Sequence, residues 1–498
     1  MKSITTTLLA LTISFCFSFI LAQEEKKSLE LKEQTVKTKH KLVINNSTLN
    51  YTATAGTIIL KNKDQKPAAS IFYVAYSLDD NITNRPVTFS FNGGPGSSSF
   101  WLNLGILGPK RVKMSDNGRS TPPPYHLIDN IYSVLPNTDL VFIDPVGTGF
   151  SIALDPTSQD FFYGIDEDIQ ATAEFIRLYL SKNNRFNSPK LIIGESYGGF
   201  RACGVTSFLQ NEYGLYINGI MLISPFTNDI LTWDSPGNEL PYMTTLPFYT
   251  ATAWFHNKLN DDLMPDLFST IKKSETFAHN ELALAIIKGN NLSESELNSL
   301  ALNLSEFTGL DVEYLKSKKL RISTKMFYDK LLEKEGLMIG RYDSRLTRRI
   351  NPTDSWSNYA IYDPSTTFMD GSYSSTFFQY LKTDLNYPDD RQYITFNSSI
   401  ANRWKLGKFK GRPIYLGEDI SRALIKNPFL KIFVAAGYYD GATPFSVTNY
   451  CFDHIHFEEN TKDNVTIKYY EAGHMIYNDQ TQLQKLSEDL NQFIKSAY

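Results

Sequence analysis

The sequence predicts an α/β fold in which helices cover both faces of a mostly parallel central sheet. Short apolar runs without alternation are typical of strands buried on both faces, and they occur at 87–91, 140–143, 191–193, 220–223 and 432–435. Helical patterns separate several of these runs, and strands that alternate with helices form mostly parallel sheets. The strand signal then stops between residues 230 and 373, which predicts a mainly helical cap inserted into the fold.

Each element follows from a local pattern. Residues 36–77 alternate apolar and polar side chains, which predicts antiparallel strands ahead of the parallel core. Apolar residues at helical spacing after an acidic start predict a helix around 169–180. Segments 293–302 and 323–337 are the clearest helices of the cap, and an amphipathic helix is expected at 480–494. The core is thus predicted in two parts, 23–229 and 374–498.

Length and composition exclude several classes of protein. The chain has 498 residues, 42% of them hydrophobic and 20% charged, and a net charge of −4. Such a chain buries a large core, and its charge gives no reason to expect a nucleic acid partner. No run after the N-terminus is long and apolar enough to span a bilayer. We predict no metal and no cofactor, and oligomeric state is left open.

Residues 1–22 have the pattern of a signal peptide. Lys2 supplies the positive start, an apolar run covers 8–21, and Ala22 precedes a polar segment. The alternative is an uncleaved membrane anchor. Cleavage predicts a secreted or periplasmic protein without a stable membrane span. The mature chain would keep two cysteines, Cys203 and Cys451, and their pairing is left open, with two separate buried thiols favoured.

The segment Gly194-Glu195-Ser196-Tyr197-Gly198 matches the nucleophile elbow G-x-S-x-G. A buried-strand pattern precedes it and a helix-compatible run follows, which is the strand–turn–helix setting that the motif needs. The glycines allow the sharp turn that lifts the serine hydroxyl above the sheet. We therefore predict an α/β-hydrolase fold with Ser196 as the nucleophile.

A serine nucleophile needs a base and an orienting acid, which follow it in the order Asp, His in this fold. Of seven histidines, His474 comes directly after a late strand-like run. Asp440 follows the preceding core strand, where a carboxylate can accept a hydrogen bond from that ring. Its alternative role is a helix cap. We predict Ser196, His474 and Asp440 as a catalytic triad.

A glycine-rich turn, Asn92-Gly93-Gly94-Pro95-Gly96, ends the strand at 87–91. Its backbone N–H groups are suited to an oxyanion hole. The alternatives are a simple turn and a phosphate loop, and the latter lacks a following Gly-Lys-Ser/Thr. The loop at 144–149 also ends a strand, and we interpret it as a structural wall of the cleft.

These motifs together resemble the serine carboxypeptidase family. The resemblance spans roughly residues 85–480 and rests on the segments at 92–98, 144–151, 194–199 and 473–475, which occur in the family order. It implies a serine exopeptidase that acts on peptide or protein C-termini. It implies oxyanion donors at Gly94 and Tyr197, and Asn92, Gly93 and Glu195 as the binding site for the terminal carboxylate. Glu195 would need a raised pKa to donate to that carboxylate.

The sequence departs from the family pattern at two positions. Ser97 stands where a cysteine normally forms a disulfide, which is similar to bacterial members. Ile106 stands where the family often has a second glutamate that pairs with the one before the nucleophile. The loss puts carboxylate specificity in question, so an esterase or acyltransferase stays open as an alternative. A non-catalytic binding protein is the third hypothesis.

Overall fold

The sheet and the helices around it are described by a computed structural model that covers residues 32–79, 85–351 and 363–498. The predicted signal peptide, residues 1–22, lies outside the described residues. The strands are β1 (Thr35–Ile44), β2 (Ser47–Lys61), β3 (Pro67–Leu78), β4 (Val87–Phe91), β5 (Lys110–Val112), β6 (Leu127–Asp129), β7 (Asp139–Ile143), β8 (Ile152–Ala153), β9 (Lys190–Glu195), β10 (Gly219–Ile223), β11 (Leu337–Ile339), β12 (Thr347–Arg349), β13 (Lys431–Gly437) and β14 (Val465–Tyr470).

The main sheet has the strand order β1-β2-β3-β7-β4-β9-β10-β13-β14, with β8 paired to β3. Strands β1, β2 and β3 pair antiparallel with one another in that order, and β3 also pairs antiparallel with β7. From β7 onward every pair along this order is parallel. The predicted antiparallel start and parallel core are both confirmed. Pairs β5–β6 and β11–β12 form two small separate ribbons.

Helices connect and cover the parallel strands. The α-helices are α1 (Phe100–Leu102), α2 (Ile165–Lys182), α3 (Tyr197–Glu212), α4 (Pro241–Thr244), α5 (Leu246–Phe255), α6 (Leu267–Phe277), α7 (Ala283–Lys288), α8 (Glu294–Thr308), α9 (Val312–Ser317), α10 (Thr324–Leu331), α11 (Pro364–Thr367), α12 (Asp370–Thr383), α13 (Ser398–Arg403), α14 (Gly417–Lys426), α15 (Phe445–Asp453) and α16 (Gln480–Ser496). In this part of the chain, no helix combines the length and apolarity needed to cross a bilayer.

Two hydrophobic clusters lie on opposite faces of the sheet. Successive residues of a strand point to opposite faces, so Ile192 of β9 joins one cluster while Leu191 and Ile193 join the other. Helices α2, α3 and α14 contribute to the first cluster, and α12 and α16 contribute to the second. Because both faces are covered, the central strands need apolar residues at every position, which is the pattern seen in the sequence.

A third hydrophobic cluster joins helices α5 to α10 between β10 and β13. The helix predicted at 323–337 is shorter than expected, because α10 ends at Leu331 and Gly336 adopts φ 66° ahead of β11. Strands β11 and β12 were not predicted. The cap boundaries 230 and 373, and the two core parts that they separate, stay a prediction. Cys203 and Cys451 are buried free thiols.

Candidate active site

Ser196 occupies a tight turn between β9 and α3. Its backbone has φ 61° and ψ −128°, a region that costs a non-glycine residue about 1–3 kcal/mol. A Cβ at Gly194 would overlap the backbone of Gly198, and a Cβ at Gly198 would lie 2.7 Å from the carbonyl oxygen of Phe91, so each glycine permits a close approach. Ser196 is partly exposed although its neighbours along the chain are buried. The turn therefore presents the hydroxyl at the carboxyl end of the sheet.

His474 and Asp440 form a buried pair beside this turn. Nδ1 of His474 lies 2.7 Å from Oδ2 of Asp440, and both residues are buried. The N–H groups of Ala442 and Thr443 donate to Oδ1 of Asp440 at 2.8 and 2.9 Å. Burial lowers the pKa of His474, but the charge of Asp440 and its hydrogen bond raise it more, so the net shift is upward. With Nδ1 donating to the carboxylate, Nε2 is left as an acceptor.

Ser224 connects the serine turn to the histidine. The N–H of Ser196 donates to the carbonyl of Ile223 at 3.0 Å, and the next residue, Ser224, donates its hydroxyl to the carbonyl of His474 at 2.7 Å. The hydroxyl of Thr443 donates to the Ser224 carbonyl at 2.9 Å or to Asp440 at 2.6 Å. Within the described residues, Ser196 Oγ has no hydrogen bond to His474. Such bonds often tighten only in the substrate complex.

The glycine-rich turn after β4 packs directly on the start of α3. A Cβ at Gly93 would lie 2.5 Å from the backbone N of Tyr197, so only glycine fits. Gly94 has φ 104°, a conformation that favours glycine. Tyr197 is the first residue of α3, so its N–H is one of four without an acceptor inside the helix. The structure thus brings together the backbone segments of the predicted oxyanion donors.

Glu195 lies buried next to the nucleophile. Its Oε2 accepts hydrogen bonds from Nδ2 of Asn92 at 2.7 Å and from the hydroxyl of Tyr477 at 2.8 Å. Burial raises its pKa to about 7, against the lowering effects of His474, Tyr477 and Asn92. The side chain can therefore hold a proton near neutral pH. In that protonation state the carboxyl group can donate a hydrogen bond.

Tyr477 is a site residue that the sequence analysis missed. The position at which a second glutamate was expected holds Ile106, which is fully buried among apolar side chains and carries no carboxyl group. One residue earlier, a Cβ at Gly105 would overlap the ring of Tyr477, so this glycine makes room for the ring. Thr443 and Ser224 were also missed. The one sequence signal for either residue is the place of Thr443, three residues after Asp440, from which its hydroxyl reaches the carboxylate.

Behind the site, a buried ion pair supports the glycine-rich turn. Nε of Arg201 lies 2.7 Å from Oδ2 of Asp168, and Nη1 donates to the carbonyl of Asn92 at 2.7 Å. The guanidinium also stacks on the rings of Phe91 and Tyr197. A single buried cation therefore holds α2, α3 and the end of β4 together.

Comparison with known proteins decides the family. A family model described as serine carboxypeptidase matches residues 46–487. The chain belongs to the serine carboxypeptidase family. A solved structure, the prohormone-processing carboxypeptidase Kex1Δp of Saccharomyces cerevisiae, covers 89% of this chain and 91% of its own at 15% identity, with a TM-score of 0.54. At that identity the match shows the fold, and it confirms the predicted α/β-hydrolase fold.

Curated members of the serine carboxypeptidase family align with this chain over shorter stretches than the family model does. Serine carboxypeptidase-like 45 of Arabidopsis thaliana is 29% identical over 140 residues, 27% of this chain and 28% of the relative. A vacuolar serine-type carboxypeptidase of Saccharomyces cerevisiae is 32% identical over 137 residues, 27% of this chain and 24% of the relative. The chain thus aligns with about a quarter of the length of these relatives. The resemblance to bacterial members stays a prediction.

Proposed function

We propose that this protein is a serine carboxypeptidase that hydrolyses C-terminal peptide bonds through an acyl-enzyme on Ser196. The observation that carries the proposal is the buried 2.7 Å hydrogen bond between His474 and Asp440 at the strand ends beside the Ser196 turn. This arrangement supplies an oriented base with a raised pKa, which is what a serine nucleophile needs.

In the proposed reaction, Ser196 Oγ attacks the scissile carbonyl carbon while Nε2 of His474 takes the hydroxyl proton. Asp440 holds the ring and stabilises the imidazolium. The N–H groups of Gly94 and Tyr197 donate to the developing oxyanion. The C–N bond then breaks and His474 returns the proton to the leaving amine. Water adds to the acyl-enzyme by the same route, which releases the shortened peptide and restores the serine.

We assign the terminal carboxylate of the substrate to Asn92, Gly93 and Glu195. An ionised Glu195 would repel that carboxylate, whereas a protonated one can donate a hydrogen bond to it. With a pKa of about 7, Glu195 is mostly protonated in acidic solution and about half protonated at neutral pH. An esterase or acyltransferase on the same triad is the second candidate, and it is favoured by Ile106 in place of a second carboxyl group.

One comparison separates these candidates. A blocked dipeptide with a free C-terminal carboxylate is tested against its C-terminal amide and its ester analogue. A carboxypeptidase cleaves the free acid and loses most of its kcat/KM on the amide. Equal cleavage with and without the carboxylate contradicts carboxypeptidase specificity and supports the esterase. If a serine-directed phosphonate fails to label the folded protein, that result supports a non-catalytic binding protein.

Export to a secreted or periplasmic location is part of this proposal and rests on the pattern of residues 1–22. N-terminal sequencing of the protein from its natural source tests it. A mature chain that begins at Gln23 supports cleavage, and one that retains Met1 contradicts it.

A further inference from the structure

Arg341 places a positive charge near His474 and Asp440 and has no part in the proposed reaction. The residue lies between β11 and β12, and its carbonyl accepts a hydrogen bond from the N–H of Gly441, the residue after Asp440. The carbonyl of the next residue, Tyr342, accepts from the N–H of His474 at 2.6 Å. The rings of Tyr342 and His474 have centroids 5.3 Å apart. The backbone around Arg341 is therefore fixed to both members of the pair.

The guanidinium of Arg341 has no hydrogen bond or ion pair with any other residue that the structure describes. It stacks on the ring of Tyr342 at 5.2 Å, and the residue is exposed to solvent. Five N–H donors in a planar fork are left for a ligand, in the geometry that matches a carboxylate. By contrast, Arg345 in the same loop pairs with Asp343 and Asp479.

Two carboxylates interact electrostatically with Arg341, and both already accept hydrogen bonds from other groups. Asp440 accepts from His474 and from the backbone of its own loop. Asp363 accepts the backbone N–H of Arg341 at 2.7 Å and the N–H of Ser365 at 2.7 Å. Neither carboxylate forms an ion pair with the guanidinium. Desolvation by the surrounding protein lowers the pKa of Arg341, but the neighbouring phenols and carboxylates raise it more, so the group stays cationic.

From this arrangement we infer that Arg341 is a specificity residue that binds an acidic side chain of the peptide substrate, next to the scissile bond. The inference rests on the proposed function. Asn92 and Glu195 already offer a site for the terminal carboxylate on the side of β4. The free guanidinium lies on the side of Asp440 and His474, so a second carboxylate, carried by a side chain, suits it. Two positions can supply that carboxylate: the C-terminal residue and the one before it.

Matched substrates test the inference. Two pairs of blocked dipeptides are compared, one with Glu or Gln before the scissile bond and one with Glu or Gln at the C-terminus. In the wild-type protein we expect kcat/KM to favour Glu by about tenfold to a hundredfold in one of the two pairs, which identifies the position. Arg341→Gln should reduce that ratio to about one, and Arg341→Lys should restore part of it.

Arg349→Gln is the charge-matched control, because Arg349 is exposed on β12 and should leave the Glu/Gln ratio unchanged. An Arg341→Gln protein that loses the same factor on Glu and Gln substrates overturns the inference, since that result indicates a structural role. Wild-type ratios near one in both pairs overturn it as well. A wild-type protein that cleaves none of the four peptides contradicts the proposed function instead. A third arm uses the C-terminal amides: a loss in Arg341→Gln that is equal for Glu and Gln substrates and disappears with the amides assigns Arg341 to the terminal carboxylate and overturns the side-chain assignment.

Discussion

The hydroxyl of Tyr477 donates a 2.8 Å hydrogen bond to Oε2 of Glu195, the same oxygen that receives the amide of Asn92. No described donor reaches Oε1. When Glu195 is protonated, the proton therefore belongs on Oε1, and that oxygen can donate to a substrate carboxylate. Tyr477 thus gives Glu195 a hydrogen-bond partner, whereas the second glutamate expected from the family resemblance is replaced by Ile106. A phenol differs from a carboxylic acid in this role, because it stays neutral across the working pH range.

Tyr477→Phe should move the alkaline limit of carboxypeptidase activity upward. The hydroxyl stabilises the ionised form of Glu195, so its loss raises the pKa above the value of about 7, by about one pH unit. The KM for a blocked dipeptide with a free carboxylate is measured against pH. Tyr373→Phe is the matched control, because its hydroxyl donates to Asn478 and not to Glu195. An alkaline limb that stays in place in Tyr477→Phe contradicts the role of Tyr477.

Glu195→Gln should remove the alkaline limb altogether. The amide oxygen can accept the bonds from Asn92 and Tyr477, while Nε2 donates to the substrate at every pH. Above pH 7 the wild-type KM rises as Glu195 ionises, so the variant should bind free-carboxylate substrates more tightly there. Ester substrates without a carboxylate serve as the control and should show only the acid limb of His474. A KM that rises equally in both proteins contradicts carboxylate binding by Glu195.

The same group predicts a pH dependence of stability. The pKa of Glu195 is raised from 4.5 to about 7 by burial, so the folded protein holds a proton that the unfolded chain releases. The free energy of unfolding contributed by this group is fully present below pH 4.5 and is lost as pH rises through 7. Chemical denaturation of wild type and Glu195→Gln between pH 4 and 8 checks this. Parallel profiles for the two proteins would argue against a raised pKa.

The fold and the chemical centre were predictable because their signals are local. The elbow is five consecutive residues, and β4, β9 and β10 are continuous apolar runs because both sheet faces are covered. His474 and Asp440 were found from their order after late strands. These features need no knowledge of how distant segments pack.

The remaining site residues depend on contacts between distant segments. Tyr477 looks like an ordinary core aromatic in the sequence, and its role arises from the space at Gly105 and from contact with Glu195, 282 residues away. Arg341 lies in a hairpin that the sequence did not reveal, since β11 and β12 have three residues each. Its position beside Asp440 follows from packing between distant segments of the chain, which hydrophobic periodicity does not encode.

Ser196→Ala should abolish turnover while leaving the fold intact. The hydroxyl is the proposed nucleophile, and its removal from such a triad lowers kcat by about a millionfold. Alanine can adopt the same backbone turn, so the melting temperature should change little. Hydrolysis of the blocked dipeptide and a thermal melt are measured on the same preparation. Activity within tenfold of wild type in a folded Ser196→Ala protein excludes Ser196 as the nucleophile.

Asp168→Ala should be the most destabilising of these changes, because it leaves the guanidinium of Arg201 buried and unpaired. Arg201 is fully buried, and its Nε lies 2.7 Å from the Asp168 carboxylate. Removing one partner of a buried ion pair costs about 3–5 kcal/mol of unfolding free energy. Glu418→Ala is the control, since its pair with Arg412 lies at the surface and should cost at most about 1 kcal/mol. Urea denaturation measures both. Equal stability losses in the two variants would contradict the support that we assign to the buried ion pair. Because Arg201 also binds the carbonyl of Asn92, Asp168→Ala should in addition raise the KM for free-carboxylate substrates.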